Sequence, residues 1–358
     1  MSLIYEIYGT DAHAMTVALM EKAKVADMIP AGASVALKPN LVTDSPPEDG
    51  GTTHAGVLSG CIEYLRGHGF GEICVIEGSW VGARTERAMR VCGYDRVCES
   101  YGVPFYDLKK DQVRELQTPL RPMEVCCRAL DAGFLINLPV LKGHCQTAMT
   151  CALKNCKGCL PDREKRRFHA EGLMRPIAAL AAALRPALTI VDSICGDLNF
   201  EEGGNPVRTN RMFLGTDPVQ LDAYGCALMG LSPEDVPYLR LAEEYGAGSA
   251  KLSPSDIVAL NRPQADGKIR TSRLSRQLTQ NVKEDSACSA CYAALVRGLY
   301  LAREEGLRVP GKILIGQGWR GKTCSGLGIG NCCVLADDCV PGCPPTAKAV
   351  LETLRRHG

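Results

Sequence analysis

Residues 31–43 read Ala-Gly-Ala-Ser-Val-Ala-Leu-Lys-Pro-Asn-Leu-Val-Thr, and residues 72–78 read Glu-Ile-Cys-Val-Ile-Glu-Gly. The first is a short apolar strand broken at Pro39, a residue with no N–H to give to a sheet. The second is a strand that runs into Gly78. Between them, residues 54–69 carry apolar side chains at helical spacing, with Val57, Leu58, Cys61, Ile62 and Leu65 on one stripe, and stop at Gly69. Strand, helix, strand at this spacing is a βαβ unit, which predicts a parallel sheet.

The rhythm continues along the chain. Residues 84–101 read as a helix, 132–140 as a buried strand, 173–184 as an Ala-rich helix, 187–192 as a strand ending in an acid, and 217–229 as a helix. Asp217 before Pro218 is a good N-cap with proline at the first helical position. Loops at the carboxyl ends of such strands are where open α/β sheets place ligands. Past Ile257 the texture changes. Residues 261–286 are polar and basic and read as a linker. Beyond them lie a helix from Cys288 to about Glu305, a strand at Lys312–Ile315, a glycine-rich loop, and a last helix opening at Pro344. The expected architecture is therefore α/β: a mainly parallel sheet domain over 1–260, a linker over 261–286, and a smaller C-terminal α/β cysteine-rich module over 287–358.

Composition limits the function. At roughly 100–200 residues per domain, 358 residues make about two domains. With 41 Lys+Arg against 40 Asp+Glu, the net charge of +1 gives no bulk attraction to nucleic acid or an anionic membrane. Aromatic residues at 5% leave little for base stacking. No uncharged apolar run reaches the ~18 residues of a membrane span, so no membrane insertion is expected. The opening residues lack the basic and apolar regions of a secretory signal, and a cytoplasmic protein is expected. Nineteen cysteines, an odd number, then argue for metal or thiolate chemistry rather than a disulfide framework.

Seven of these cysteines fall within 56 positions: Cys288, Cys291, Cys324, Cys332, Cys333, Cys339 and Cys343. Cys288-Ser-Ala-Cys291 sets two thiols on one turn, a bite that suits a tetrahedral metal or one face of an iron–sulfur cube. Gly330-Asn331-Cys332-Cys333 and Val340-Pro341-Gly342-Cys343-Pro344-Pro345 follow. With Pro344 at the first position of a helix, the Cys343 sulfur is expected beside a helix N-terminus, which favours thiolate. Residues 285–355 resemble the cluster-binding part of nickel–iron hydrogenase small subunits and their relative in respiratory complex I. That resemblance implies a 4Fe–4S cluster held by Cys288, Cys291, Cys332 and Cys343, with Cys333 the nearest substitute for Cys332. The alternative is a structural zinc, although zinc ribbons usually pair two CxxC knuckles and this tail has one. Cys145, Cys151, Cys156 and Cys159 form a second group, read as small packing residues.

A polar set completes the candidates. Lys38, Lys142 and Lys154 are cations, and Asn40 and Asn155 are amides, all following apolar runs or lying in glycine-bearing loops. Such a set suits a small anion, phosphate or carboxylate. Lys142, His144, Lys154 and Asp192 are the candidates for catalysis, and Lys38, Asn40, Glu77 and Asn155 for binding the anion. They are expected to converge on one cleft, with Glu77 or Asp192 balancing the lysines. His169 is a second histidine able to move a proton. No phosphate-binding P-loop or dinucleotide fingerprint accompanies them.

The segments Leu37-Lys38-Pro39-Asn40, Ile76-Glu77-Gly78, Asn137-Leu-Pro-Val-Leu-Lys142-Gly143-His144, Ala152-Leu-Lys154-Asn155 with Gly158, Ile190-Val-Asp192 and Thr216-Asp217-Pro-Val-Gln-Leu-Asp222 occur in this order. Together they resemble the prokaryotic family known as domain of unknown function 362, over about residues 30–250. The cysteines at 145–159 depart from the family pattern. The resemblance implies an α/β fold and an association with iron–sulfur modules, but no agreed reaction. The resulting expectation is an iron–sulfur redox protein acting on a small anionic substrate or a redox partner protein. The alternatives are a hydrolase or isomerase with a structural zinc, and an electron-relay or docking subunit without catalysis.

Overall fold

The computed structural model describes residues 2–201, 203–263 and 274–357. In the larger of two compact units the strands are β1 (Ile4–Tyr8), β2 (Val35–Pro39), β3 (Ile73–Glu77), β4 (Phe105–Asp107), β5 (Val113–Leu116), β6 (Met123–Cys126), β7 (Phe134–Leu138), β8 (Lys142–His144), β9 (Ala148–Thr150), β10 (Leu188–Asp197), β11 (Pro206–Gly215) and β12 (Ile257–Ala259). Eight of them form one sheet in the order β12-β1-β11-β10-β7-β2-β3-β4, while β5–β6 and β8–β9 are separate two-stranded pieces. Neighbours in the large sheet are parallel except where β11 runs against β10 and β1. The unit is α/β with a mainly parallel sheet.

Helix Ala55–Gly67 is the crossover between β2 and β3, and its expected stripe is the face that packs. Val57, Leu58, Cys61, Ile62 and Leu65 are buried in one core with Leu37, Val75, Ile136 and Ile190 of the strands. Each fully buried aliphatic side chain of this kind contributes about 1.5–3 kcal/mol. The helix expected over 84–101 is two helices, Thr85–Val91 and Tyr94–Tyr101, because the chain takes a left-handed turn at Gly93 between them. Asp217 caps helix Pro218–Leu228 as expected, accepting from Val219 N at 2.9 Å and Gln220 N at 3.0 Å.

The smaller unit comprises Trp80–Gly82, Lys165–Leu173 and Ser272–Gly358. Its strands β13 (Val282–Glu284), β14 (Ile313–Ile315), β15 (Cys324–Ile329) and β16 (Ala336–Val340) form a four-stranded sheet in that order, and every pair is parallel. Helix Ser289–Glu304 connects β13 to β14, and helix Ala347–His357 follows β16. Three expectations change here. Part of the stretch read as a linker is edge strand β13, whose Val282 pairs with Ile313; residues 264–273 of that stretch lie outside the described residues. The region read as a glycine-rich loop contains β15. The last helix starts at Ala347, not Pro344, because Thr346 rather than Cys343 supplies the cap, its hydroxyl accepting from Ala349 N at 3.1 Å.

Candidate functional site

After β4 the chain crosses back over the sheet and lays β7 on the free side of β2, so β2 and β7 mark the point where the direction of sheet growth reverses. Crevices at the carboxyl ends of strands at such a point are the usual ligand sites of open α/β sheets. Lys38 and Asn137 are register partners on these two strands, and Glu77 ends β3 beside them.

The Lys38 ammonium donates to Pro39 O at 2.8 Å, Glu77 Oε2 at 3.0 Å and Asn155 Oδ1 at 3.4 Å, which uses its three hydrogens. Glu77 also accepts from Leu41 N at 3.1 Å and Gly78 N at 2.7 Å. Asn155 Nδ2 donates to Asn137 Oδ1 at 2.8 Å, and Asn137 Nδ2 to Ala152 O at 2.9 Å. Gly158 lies against the ion pair: a Cβ there would stand 2.5 Å from both Lys38 Nζ and Glu77 Oε1. Asp222 anchors the same segment, its carboxylate accepting from Ala152 N at 2.7 Å. Burial raises the Asp222 carboxyl to about 7.

A second group adjoins the first through Asn40 and Lys154. The Lys142 ammonium donates to Gly51 O at 2.6 Å, Glu201 O at 2.8 Å and Asn40 Oδ1 at 3.5 Å. Glu201 bridges Lys154 Nζ, 2.8 Å from Oε1, and His144 Nε2, 2.8 Å from Oε2. The backbone amides of Gln146 and Thr147 donate to His144 Nδ1 at 3.0 and 3.2 Å, so in the neutral ring Nε2 carries the proton. Burial, aided by Lys154 and opposed by Glu201, pulls the imidazole down to about 4. Burial alone would raise the Glu201 carboxyl, but His144, Lys154 and Lys142 together hold it well below the usual range.

The structure thus brings together Lys38, Asn40, Glu77, Lys142, His144, Lys154 and Asn155. All are buried, from 0% exposed at Lys142 to 6% at Asn40, and each of the three lysines donates to protein atoms. Where an open anion cleft was expected there is a packed polar network, because Glu201 and a set of backbone carbonyls turn inward to meet the cations. Glu77 balances Lys38 as expected. Asp192 does not face the lysines. Its Oδ2 stands 2.8 Å from His54 Nδ1 and accepts from His54 N at 2.8 Å. Glu201 and His54 are therefore the residues that sequence reasoning missed. Glu201 lies in a polar loop without a pattern, and His54 reads as the first residue of a helix. Burial pushes the Cys151 and Cys156 thiols far up, in keeping with packing residues.

In the smaller unit the cysteines follow strand ends. Cys288 caps helix Ser289–Glu304 just after β13, Cys291 lies in its first turn, Cys332 follows β15, and Cys343 follows β16. Parallel strands deliver all of these loops to one edge. Asn331 ties two of them together, donating from N to Gly342 O at 2.9 Å and accepting from Gly342 N on Oδ1 at 2.7 Å. The Cys291 thiol is pushed up by burial and then by Cys288, Cys343, Cys332 and Cys333 in that order. Gly330 stands beside Cys291 with φ at 84°, a left-handed backbone that favours glycine. Arg320 Nη2 lies 3.5 Å from Cys332 Sγ and within the fields of Cys343 and Cys288. Cys333 is 2% exposed and packs by its Cβ on Gly328, which separates the roles of the adjacent pair. His169 also belongs to this unit, with Nε2 3.4 Å from Ser289 N. Among the described residues, no three or more His, Cys, Asp or Glu are drawn tightly enough around one point to hold a single ion.

A switch-point polar network on a mainly parallel α/β sheet, followed by a cysteine-bearing parallel module, defines the class of protein. The chain belongs to the family described as domain of unknown function (DUF362), which matches residues 35–227. It is 25% identical over 222 residues to a thylakoid-associated protein of Synechocystis sp., an alignment covering 60% of this chain and 68% of that one. It is also similar to the lactate racemase apoprotein from Thermoanaerobacterium thermosaccharolyticum, at 11% identity and a TM-score of 0.47. That match covers 63% of this chain and 56% of the other. Among the described residues no helix is long and apolar enough to cross a membrane.

Proposed function

We propose that this is a cytoplasmic iron–sulfur redox protein, holding a 4Fe–4S cluster on Cys288, Cys291, Cys332 and Cys343 and exchanging electrons with a small anionic substrate or a redox partner protein. The supporting observation is that Cys288, Cys332 and Cys343 follow three strands of one parallel sheet, with Cys291 in the helix turn after Cys288 and Asn331 bonded to Gly342 between the other two. The donor set fits such a group. It offers four cysteine sulfurs and a guanidinium at Cys332, and hydrogen bonds to cluster sulfurs are what tune a potential. When bound, the cluster supplies one-electron chemistry; the chain supplies the ligands and the charge around them. In the larger unit the buried lysine–asparagine network holds the switch-point loops in place, and substrate contact falls to groups at its edge.

Iron, sulfide and zinc counted per chain after anaerobic purification test this reading. About four irons and four sulfides are expected, with loss of most iron in Cys291→Ser. About one zinc without sulfide supports the structural-zinc alternative instead.

A further inference from the structure

We infer that His54 and Asp192 form a proton-transfer dyad, and that Nε2 of His54 takes a proton from a small oxyanionic substrate, a carboxylate or a phosphate, held by Arg208 of β11, which pairs with Cys195 three residues beyond Asp192. The inference is independent of the cluster.

Asp192 lies in β10 with its side chain 0% exposed, whereas the His54 side chain is 17% exposed. The carboxylate is held in place, with Oδ1 accepting from Ile194 N at 3.1 Å and Oδ2 from His54 N at 2.8 Å. The same Oδ2 stands 2.8 Å from His54 Nδ1, so Nδ1 carries the proton and the neutral ring keeps its lone pair on Nε2. Because Asp192 takes the inner edge, the outer edge of the imidazole is the one that meets solvent. This is the reverse of His144, whose Nδ1 accepts from backbone amides and whose Nε2 lies against Glu201 inside the protein.

The position fits a reaction site. His54 begins the helix after β2, and its neighbour Thr53 is bonded to Asn40 through Thr53 N to Asn40 O at 3.0 Å and Asn40 N to Thr53 Oγ1 at 2.9 Å. Asp192 is in β10, next to β7 at the same sheet region. The charged groups whose fields reach the ring are Asp192, Glu48 and Arg208. Burial, the largest influence, lowers the imidazole's proton affinity, but the charge and hydrogen bond of Asp192 with the charge of Glu48 together raise it above the ordinary 6.5. Arg208 is exposed, and has no ion-pair partner among the described residues. Its planar fork matches carboxylate and phosphate oxygens. In the step itself the Nε2 lone pair accepts the substrate proton and the electron pair of the broken bond stays on the substrate. The charge gained by the ring is balanced by Asp192.

The test uses the full chain labelled with 15N-histidine, with imidazole spectra followed over roughly pH 5–8. His54→Gln assigns the resonance. Inorganic phosphate and succinate are the two probes. The expected result is a His54 protonated on Nδ1, a saturable shift of its Nε2 signal by at least one probe, and affinity at least about tenfold weaker in Arg208→Ala. Whichever probe binds tighter identifies the oxyanion class. A proton on Nε2 overturns the inference, as does a His54 signal blind to both anions or a response unchanged in Arg208→Ala. Arg208 is exposed, so its variant folds whether or not a change at Asp192 is tolerated.

Discussion

His144 Nε2 and Glu201 Oε2 are 2.8 Å apart inside the protein, while His144 Nδ1 accepts from two backbone amides, which only the neutral imidazole can do. A second proton would cost the turn at residues 144–147 its acceptor. The pair thus sets a neutral imidazole of the β8 hairpin against an ionised carboxylate of the loop after β10, and Lys154 completes it from the helix Ala152–Asn155.

This arrangement sets an acid limit on stability. The His144 value of about 4 lies below the 6.5 of the unfolded chain, so its contribution is fully present above pH 6.5 and is lost as pH falls through that window. The difference corresponds to about 3 kcal/mol. Denaturant titrations of wild type and His144→Gln at neutral pH and near pH 5 check it. Gln keeps a donor but has no proton to gain, so the variant is expected to lose much less stability on acidification. Equal losses in both proteins would rule this account out.

Lys38 and Glu77 are buried partners at 3.0 Å. Lys38→Ala leaves the Glu77 carboxylate without its cation and is expected to destabilise by about 3–5 kcal/mol. Removing both charges as Lys38→Met with Glu77→Gln is expected to cost less than Lys38→Ala alone. A double-mutant cycle showing no coupling would mean that the pair is not an energetic unit.

Gly158→Ala adds a methyl 2.5 Å from both Lys38 Nζ and Glu77 Oε1. A clash in a packed network costs about 1–3 kcal/mol. Thermal unfolding measures it, and an unchanged midpoint would show that the Lys38 end group swings away freely.

The adjacent cysteines 332 and 333 are expected to separate. Cys332→Ser removes a thiol beside Arg320 and lowers the iron content, whereas Cys333→Ser changes a residue packed on Gly328 and keeps the iron at a modest cost in stability. Iron analysis of the two variants decides, and the opposite pattern would move the third ligand to Cys333.

What the sequence determined by itself is local and periodic. The stripe Val57, Leu58, Cys61, Ile62, Leu65 specifies one helix face, the runs at 35–39 and 73–77 specify strands buried on both sides, and their alternation specifies a parallel sheet. Because parallel connections return every strand end to one edge, the meeting of Lys38 with Glu77 and of the loops carrying Cys288, Cys332 and Cys343 followed from the same pattern. Tertiary structure decided what each group meets there. Nothing in the order of residues says that Glu201, from a patternless loop, turns inward to neutralise Lys154. Nor does it say that Asp192 faces His54 instead of a lysine, for a strand-end carboxylate can reach several loops and is assigned by packing. The helix start shows the same limit. Pro344 permits one, but the Thr346 hydroxyl, placed by the chain's turn, sets it at Ala347. Periodicity fixes which face is buried, while the pairing of charges depends on distances between segments far apart in sequence.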